Sequence, residues 1–161
     1  MKKALIFSDS HGKNENMLDV IKRFPEVEAI FHAGDIEGGA DRLREAVDCP
    51  VYIVRGNCDF TPKLSPNLTV EFGAKKIAIC HGHRYLDLGG LDKLKYWALE
   101  READVVIFGH THIPYLEQGG KLTVINPGSI SRPRQDKRIP TYAIMEIGTD
   151  GQFHFSLCEY R

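Results

Sequence analysis

The sequence lacks the features that mark several protein classes. Its four cysteines form no Cys-x-x-Cys pair and show no zinc-ribbon spacing, so we expect reduced thiols and a cytoplasmic protein. The net charge is −1, and without a basic surplus there is no strong signal for nucleic-acid or membrane-surface binding. No apolar segment approaches the length of a membrane span.

The composition is that of an ordinary globular domain. Hydrophobic residues make up 42% of the chain and charged residues 27%. No internal repeat, low-complexity tract or linker divides the sequence. We therefore expect one domain over residues 1–161, which is long enough to bury a substantial core.

Short apolar runs predict the central strands. They lie at residues 4–8, 29–33, 51–55, 77–80 and 105–109. Nearly continuous apolar runs of this length suit strands that are buried on both faces. Amphipathic patterns that predict helices lie between several of them, over residues 14–24, 39–47 and about 90–102. This alternation predicts an α/β protein whose runs form one mainly parallel sheet.

Four other segments alternate apolar and polar residues more strictly and are bounded by glycine-rich turns. They lie at residues 68–73, 121–126, 141–147 and 152–157. Alternation of this kind is typical of half-buried strands. We expect these segments to form a second, antiparallel-leaning sheet that faces the first.

Side chains of the types that bind metals follow each of the five central runs. They are Asp9 and His11, then Asp35, Asn57, His81, and finally His110 and His112. The carboxyl ends of strands are where sites form in open α/β sheets. In extended backbone, alternate residues share a face, so the Asp-x-His and His-x-His spacings can direct two ligands one way. Five such motifs at five strand ends predict a metal site.

Other polar residues have simpler interpretations. A single histidine is more often a satisfied polar residue than a ligand, so we expect His32 to support the site, His83 to lie in a loop and His154 on a sheet surface. Asp59 either caps a turn or orients its neighbours. Arg132 and Arg134 belong to a charged loop that is either solvated or in contact with substrate.

The motifs DSH, GD, GNCD, HGH and GHTH, in this order, resemble those of the calcineurin-like metallophosphoesterase superfamily. The short chain and the segment NPGSISRPR, residues 126–134, resemble its small YfcE-type phosphodiesterase branch, whose fold is shared by the scaffold protein Vps29. The resemblance implies a four-layer α/β/β/α sandwich, with the helix at about 90–102 covering one outer face.

The resemblance also implies two divalent metal ions per chain. The first would be held by Asp9, His11, Asp35 and His112, and the second by Asp35, Asn57, His81 and His110, with Asp35 bridging. Mixed imidazole and carboxylate ligands favour Mn, Ni, Fe, Co or Zn over Mg or Ca, and we expect manganese. A metal-bridging hydroxide would then attack a small phosphodiester substrate without a covalent intermediate.

Two other function classes stay open. A Vps29-like scaffold would be expected to lose ligand residues, but all seven are present here. The larger nucleases of the superfamily carry added domains, for which this chain has no room, and no basic groove is visible in the sequence. A small phosphoester is therefore the favoured substrate, and a homo-oligomer stays open.

Cys58 stands where the resemblance places a histidine that assists the leaving group. It could be a metal ligand, a nucleophile, a small apolar residue or a weak substitute for that histidine. The seven ligands and the hydroxide disfavour the first two roles. Because a thiol is a weak hydrogen-bond donor, we expect Cys58 to be either a poor general acid or a plain turn residue.

Overall fold

The computed structural model describes residues 1–86 and 90–161. Its elements, in chain order, are β1 (Lys2–Phe7), α1 (Glu15–Arg23), β2 (Ala29–His32), α2 (Ala40–Glu45), β3 (Val51–Ile53), β4 (Asn67–Phe72), β5 (Lys75–Cys80), α3 (Asp92–Glu100), β6 (Val105–Ile107), β7 (Tyr115–Glu117), β8 (Thr123–Asn126), β9 (Thr141–Ile147) and β10 (Phe153–Glu159). Each predicted strand and helix is present, with ends that differ by a few residues. Within the described residues, no helix has both the length and the apolar character needed to cross a membrane.

The strands form two five-stranded sheets. The first has the order β10-β9-β1-β2-β3, in which β1, β2 and β3 are parallel and the other two strands are antiparallel to their neighbours. The second has the order β4-β5-β6-β8-β7, with β5, β6 and β8 parallel between two antiparallel edge strands. Each sheet therefore contains three adjacent parallel strands, which reach one edge of the first sheet and form the centre of the second.

The prediction that all five motif-bearing strands share one sheet is wrong. The strands β1, β2 and β3 lie in the first sheet, whereas β5 and β6 lie in the second. The tight turn at Gly73 and Ala74, both with positive φ, pairs β5 with β4 in a hairpin and so starts a new sheet. The four alternating segments also divide between the two sheets, so the prediction that they form one second sheet is wrong. Their periodicity indicates which side chains are buried, but it does not show which strand pairs with which.

The two sheets pack face to face, and helices cover their outer faces. The core between the sheets includes Ile6, Phe31, Ile79, Ile107 and Met145. On the outer face of the first sheet, apolar residues of β1 and β2 pack against Met17, Val20 and Leu43 of α1 and α2. On the outer face of the second, Leu94, Trp97 and Ala98 of α3 pack against β5, β6 and β8. The predicted α/β/β/α sandwich is confirmed.

This arrangement gathers the loops that follow the parallel strands at one end of the sandwich. Asp9 N donates to Gly34 O at 3.0 Å, which joins the loops after β1 and β2. Gly109 N donates to His81 O at 3.0 Å, which joins those after β5 and β6. The loop after β8 reaches the first sheet, since Ile130 N donates to Ser8 O at 3.3 Å. Both sheets thus contribute to the same site.

Candidate metal centre

Five of the seven predicted ligand residues share an uncommon backbone conformation. Positive φ angles of 50° to 73° occur at Asp9, His11, Asp35, His110 and His112. This left-handed region is sparsely used by residues other than glycine, and such residues cluster at functional sites. The Asp-x-His and His-x-His residues therefore lie in loops beyond the strands. The expectation that extended backbone aligns them is wrong, because left-handed turns direct their side chains instead.

The buried carboxylates of Asp9 and Asp35 stand among three imidazole nitrogens. Asp9 Oδ1 lies 3.2 Å from His112 Nε2, 3.7 Å from His11 Nε2 and 3.8 Å from His81 Nε2. Asp35 Oδ2 lies 3.2 Å from His81 Nε2 and 3.8 Å from His11 Nε2. Both carboxylates therefore approach the same pair of histidines, His11 and His81.

Hydrogen bonds on the far side of each ring determine which nitrogen faces the carboxylates with a lone pair. His81 Nδ1 donates to Ala33 O at 2.8 Å, and His112 Nδ1 donates to Arg132 O at 2.7 Å. His11 Nδ1 lies 3.1 Å from Glu37 Oε2 and donates to it. In the neutral rings, each Nε2 is then an unprotonated acceptor that points into the centre.

In the neutral rings, the inward-facing Nε2 atoms and Asp9 Oδ1 are all hydrogen-bond acceptors. Asp9 Oδ1 is fully buried and has no hydrogen-bond partner in the described part of the chain. Burial alone would raise the pKa of Asp9, but protons carried by His11, His112 and His81 in the metal-free protein, together with the Ser8 hydroxyl, hold that pKa far below its ordinary value. A bound cation would supply the same positive charge in place of these protons. A buried, ionised carboxylate facing imidazole lone pairs fits a bound cation.

Within the described residues, three sets of ligand atoms are compact enough to hold an ion. Asp9, His11 and His112 form one set and Asp9, Asp35 and His81 a second, while His11, Glu37 and Cys58 form a third. The ligand atoms within each set lie within 4.8 Å of one another. The residues present therefore fit a divalent cation by both donor chemistry and spacing.

Asn57 and His110 extend the centre towards its exposed side. His110 Nδ1 lies 3.1 Å from Asn57 Oδ1 and 3.3 Å from His81 Nε2. The backbone N–H of His110 donates to Asp9 Oδ2 at 3.0 Å, which fixes the loop after β6 against the loop after β1. All seven residues singled out in the sequence thus lie in one group.

Asp59 holds the turn that carries Asn57. Its buried carboxylate accepts from the backbone N–H groups of Asp35 and Gly56 at 2.8 Å each and from that of Glu37 at 2.7 Å. A Cβ atom at position 56 would collide with the Asp35 carboxylate, so the turn requires glycine there. Asp59 therefore both caps a turn and orients its neighbours.

His32 forms hydrogen bonds with the loops that follow β1 and β2. Its Nδ1 accepts from the backbone N–H of Gly34 at 3.2 Å, so its Nε2 donates to Ser10 Oγ at 2.9 Å. Full burial lowers the pKa of His32 to about 4, which keeps the ring neutral. His83 is half-buried with its ring 5.4 Å from that of His81, and His154 is exposed on β10.

Cys58 lies at the rim of the centre. Its backbone N–H donates to Asp35 Oδ1 at 2.8 Å, and its sulfur lies 3.5 Å from Asn57 Nδ2. The sulfur also falls within 4.8 Å of ligand atoms of His11 and Glu37. Burial and the nearby Asp35 and Glu37 carboxylates raise the pKa of the Cys58 thiol, which favours its protonated form.

The proline-rich loop contributes through its serines and backbone. Ser129 Oγ donates to Asp9 O at 2.8 Å, and Ser131 Oγ donates to Ser10 O at 2.7 Å. Arg132 supplies the carbonyl that orients His112, while its side chain and that of Arg134 are exposed. Sequence reasoning missed this carbonyl and also Glu37, because neither role has a motif of its own.

Comparison with known proteins identifies the family. A family model described as a calcineurin-like phosphoesterase superfamily domain matches residues 1–150. The chain belongs to this superfamily. This chain is 40% identical over 149 residues to the probable metallophosphoesterase YsnB of Bacillus subtilis, and the match covers 91% of this chain and 85% of that protein. It is 31% identical over 159 residues to phosphodiesterase YfcE of Escherichia coli, covering 83% and 82% of the two chains.

Solved structures agree with this assignment. A crystal structure of a conserved Streptococcus pneumoniae protein, described as a predicted phosphoesterase, has a TM-score of 0.86 and 36% identity, covering 99% of this chain and 90% of that one. A Vps29 mutant from Entamoeba histolytica has a TM-score of 0.78 at 21% identity, covering 99% of both chains. The Vps29 likeness shows the shared fold alone.

Proposed function

We propose that this phosphoesterase hydrolyses small phosphodiesters with two divalent cations, and that manganese is its working ion. The observation that carries the proposal is the convergence of Asp9, Asp35 and three lone-pair-bearing histidine nitrogens on one buried point. When bound, two divalent cations supply a hydroxide nucleophile near neutral pH and offset charge that develops on phosphoryl oxygens.

The seven ligand residues would divide between the two ions. Asp9, His11, Asp35 and His112 would hold the first, and Asp35, Asn57, His81 and His110 the second. The family resemblance implies that Asp35 would be shared by both ions. Its Oδ2 lies near His11 of the first ion and His81 of the second, as does Asp9 Oδ1. The retention of all seven residues supports an enzyme over a scaffold that only shares the fold.

The surrounding residues prepare this centre before any substrate binds. Glu37, Ala33 O and Arg132 O hold three rings in the tautomer that presents Nε2 inward. Partners of this kind orient ligand residues, and their removal typically lowers metal affinity or activity about 10–100-fold. The neutral Cys58 thiol at the rim would give at most weak protonation of a departing oxygen, which favours esters with acidic leaving groups.

A substrate panel on metal-stripped protein refilled with single metals tests this function. Monoesters, aryl diesters and cyclic nucleotides should be compared at equal concentration. We expect no turnover by the stripped protein, restoration by Mn²⁺, and faster hydrolysis of aryl diesters than of monoesters. His81→Ala should abolish turnover, while His154→Ala, an exposed histidine on β10, should not change it.

Two results would contradict the proposal. Equal turnover by stripped and refilled protein would show that the reaction needs no metal. Refilled protein that binds metal at all seven residues but hydrolyses no ester would favour a binding module instead.

A further inference from the structure

A cavity of about 450 Å³ opens beside the second proposed metal position. Two of its lining residues, Asn57 and His81, belong to the candidate centre, so the cavity is continuous with it. Its volume lies within the range of about 300–1,000 Å³ that small-molecule pockets occupy. A substituent on a phosphorus atom held at the centre would therefore have room to extend into this cavity.

The wall of this cavity combines polar residues, among them Arg55 and Arg84, with apolar and aromatic ones. Phe60, Pro62 and Pro66 line it on the segment that follows Asn57, and Tyr85 lines it after His81. The Tyr85 ring stacks on Trp97, with the ring centroids 5.3 Å apart. Aromatic surface beside polar groups is typical of pockets that take the organic part of a ligand.

Phe60 is the unusual member of this wall. Its side chain is 94% exposed, although it carries no polar atom that would gain from water. The neighbouring residue, Asp59, is buried and accepts three backbone hydrogen bonds, so Phe60 stands on an anchored turn. An exposed aromatic side chain on a loop beside a functional centre is available to contact a bound ligand.

Phe60 also lines a second cavity of about 480 Å³. This cavity includes Glu37 and Cys58, which lie next to His11 of the first proposed metal position. Phe60 thus lines two cavities that each include a residue of the turn over residues 57–58. A ring in this position can contact a substituent of a bound phosphoester.

We propose that the cavity beside Asn57 and His81 binds an aromatic substituent of the phosphoester, and that Phe60 is the specificity-determining residue that packs on this ring. This inference rests on the proposed function, since the phosphoryl group must occupy the metal centre. Aromatic pairs prefer offset-stacked or edge-to-face geometry at centroid separations of 4.5–7 Å. The ligand class is therefore aryl or nucleobase-bearing phosphoesters and phosphonates.

The test compares two phosphonates that differ only in the ring. Binding of phenylphosphonate and methylphosphonate to Mn²⁺-loaded protein should be measured by calorimetry for the wild type, Phe60→Ala and Phe60→Trp. We expect the wild type to bind phenylphosphonate about three- to tenfold more tightly, the size of an aromatic pair. Phe60→Ala should lose this preference while retaining methylphosphonate affinity, and Phe60→Trp should keep it.

Tyr96→Ala provides a matched control, because Tyr96 is also an exposed aromatic residue but lies on α3, outside the residues that line the cavity. It should leave both affinities unchanged. An unchanged phenyl preference in Phe60→Ala, or an equal loss for both phosphonates, would overturn the inference. A lower oligomer mass for Phe60→Ala in light scattering would also overturn it, since Phe60 would then join copies of the chain.

The failure of the inference can be told from the failure of the proposed function. If the wild type hydrolyses diesters and binds both phosphonates but Phe60→Ala keeps the phenyl preference, only the role of Phe60 is wrong. If the loaded wild type binds neither phosphonate and hydrolyses no ester, the proposed function is wrong and the inference fails with it.

Discussion

The Nε2 atoms of His11 and His112 face each other at 3.1 Å, beside the buried Oδ1 of Asp9. Both rings use their Nδ1–H elsewhere, His11 towards Glu37 and His112 towards the carbonyl of Arg132. Two lone pairs therefore meet across this gap. A cation between them would turn a repulsive contact into ligation, which is why the folded chain should bind metal tightly.

Metal binding should raise the thermal stability of the protein. At a free Mn²⁺ concentration 100-fold above the dissociation constant, the gain is about 2.7 kcal/mol, which corresponds to a melting temperature higher by roughly 5–10 °C. Thermal melts of stripped protein with and without Mn²⁺ measure this shift. His112→Ala, which lacks a ligand of the first ion alone, should lose the contribution of that ion, and His154→Ala should lose none, whereas equal shifts in both variants would place the metal elsewhere.

Removing the Asp59 carboxylate should lower the free energy of unfolding, because it destabilises the turn between β3 and β4. In Asp59→Ala, the backbone N–H groups of Asp35, Glu37 and Gly56 lose their acceptor, at a cost of about 3 kcal/mol or more. Urea unfolding of the metal-free protein measures this loss. Asp41→Ala, an exposed position on α2, should change stability by less than about 0.5 kcal/mol. A similarly small effect at Asp59 would refute its anchoring role.

His32 should make the metal-free protein less stable in acid. Its pKa of about 4 in the folded state lies below the unfolded value, so between these two the unfolded chain binds more protons. The contribution of neutral His32 is complete above pH 6.5 and is lost as the pH falls towards 4. Between pH 8 and pH 4.5 this loss is on the order of 2–3 kcal/mol.

The variant His32→Asn isolates this contribution, because asparagine can still accept from Gly34 N–H but does not titrate. Urea unfolding at pH 8 and pH 4.5 should show a drop in stability that is smaller in the variant than in the wild type, by on the order of 2–3 kcal/mol. Equal drops in both proteins would mean that His32 is not buried in its neutral form.

Replacing Cys58 should separate its alternative roles. Cys58→Ala should leave the metal content intact and slow an activated aryl diester only slightly, because a good leaving group departs without a proton. Cys58→His should raise turnover of esters with poor leaving groups, for which general-acid assistance is typically about 10²–10⁴-fold. Steady-state rates on aryl and alkyl esters measure both effects. Loss of aryl diester turnover in Cys58→Ala, with both metals bound, would make the thiol catalytic.

The sequence predicted those properties that depend on residues close together in the chain. Burial of β1, β2 and β6 on both faces followed from their apolar runs, and the stripe of Met17, Val20 and Ile21 predicted the buried face of α1. The polar residues at strand ends were found because each lies next to its strand in the chain. Their convergence also needs the packing of the two sheets, because the carboxyl ends of the parallel strands in each sheet lie at the same end of the sandwich.

What could not be predicted depends on contacts between distant segments. The division of strands between two sheets follows from the β4–β5 hairpin, whose Gly73-Ala74 turn lacks the Asn-Gly signal of such turns. Glu37 reaches His11 and the carbonyl of Arg132 reaches His112 only in the folded chain. Neither partner is marked by its residue type, since any backbone carbonyl can accept a hydrogen bond.

Asp35 and Asp9 should differ in how many ions depend on them. Asp35→Ala removes the proposed bridging ligand, so both ions should be weakened and the metal content should fall well below one per chain. Asp9→Ala removes a ligand of the first ion alone, so about one metal should remain. Elemental analysis after dialysis measures both, and the reverse order would make Asp9 the bridging residue.

Metal content of the replete wild-type protein tests the two-ion centre most directly. Stripped protein should be refilled with Mn²⁺, freed of excess metal by gel filtration and analysed for manganese and protein together. Seven ligand residues arranged as two sets predict a ratio that approaches two metals per chain. A reproducible ratio of one, with Asn57, His81 and His110 free of metal in a crystal structure, would contradict the account.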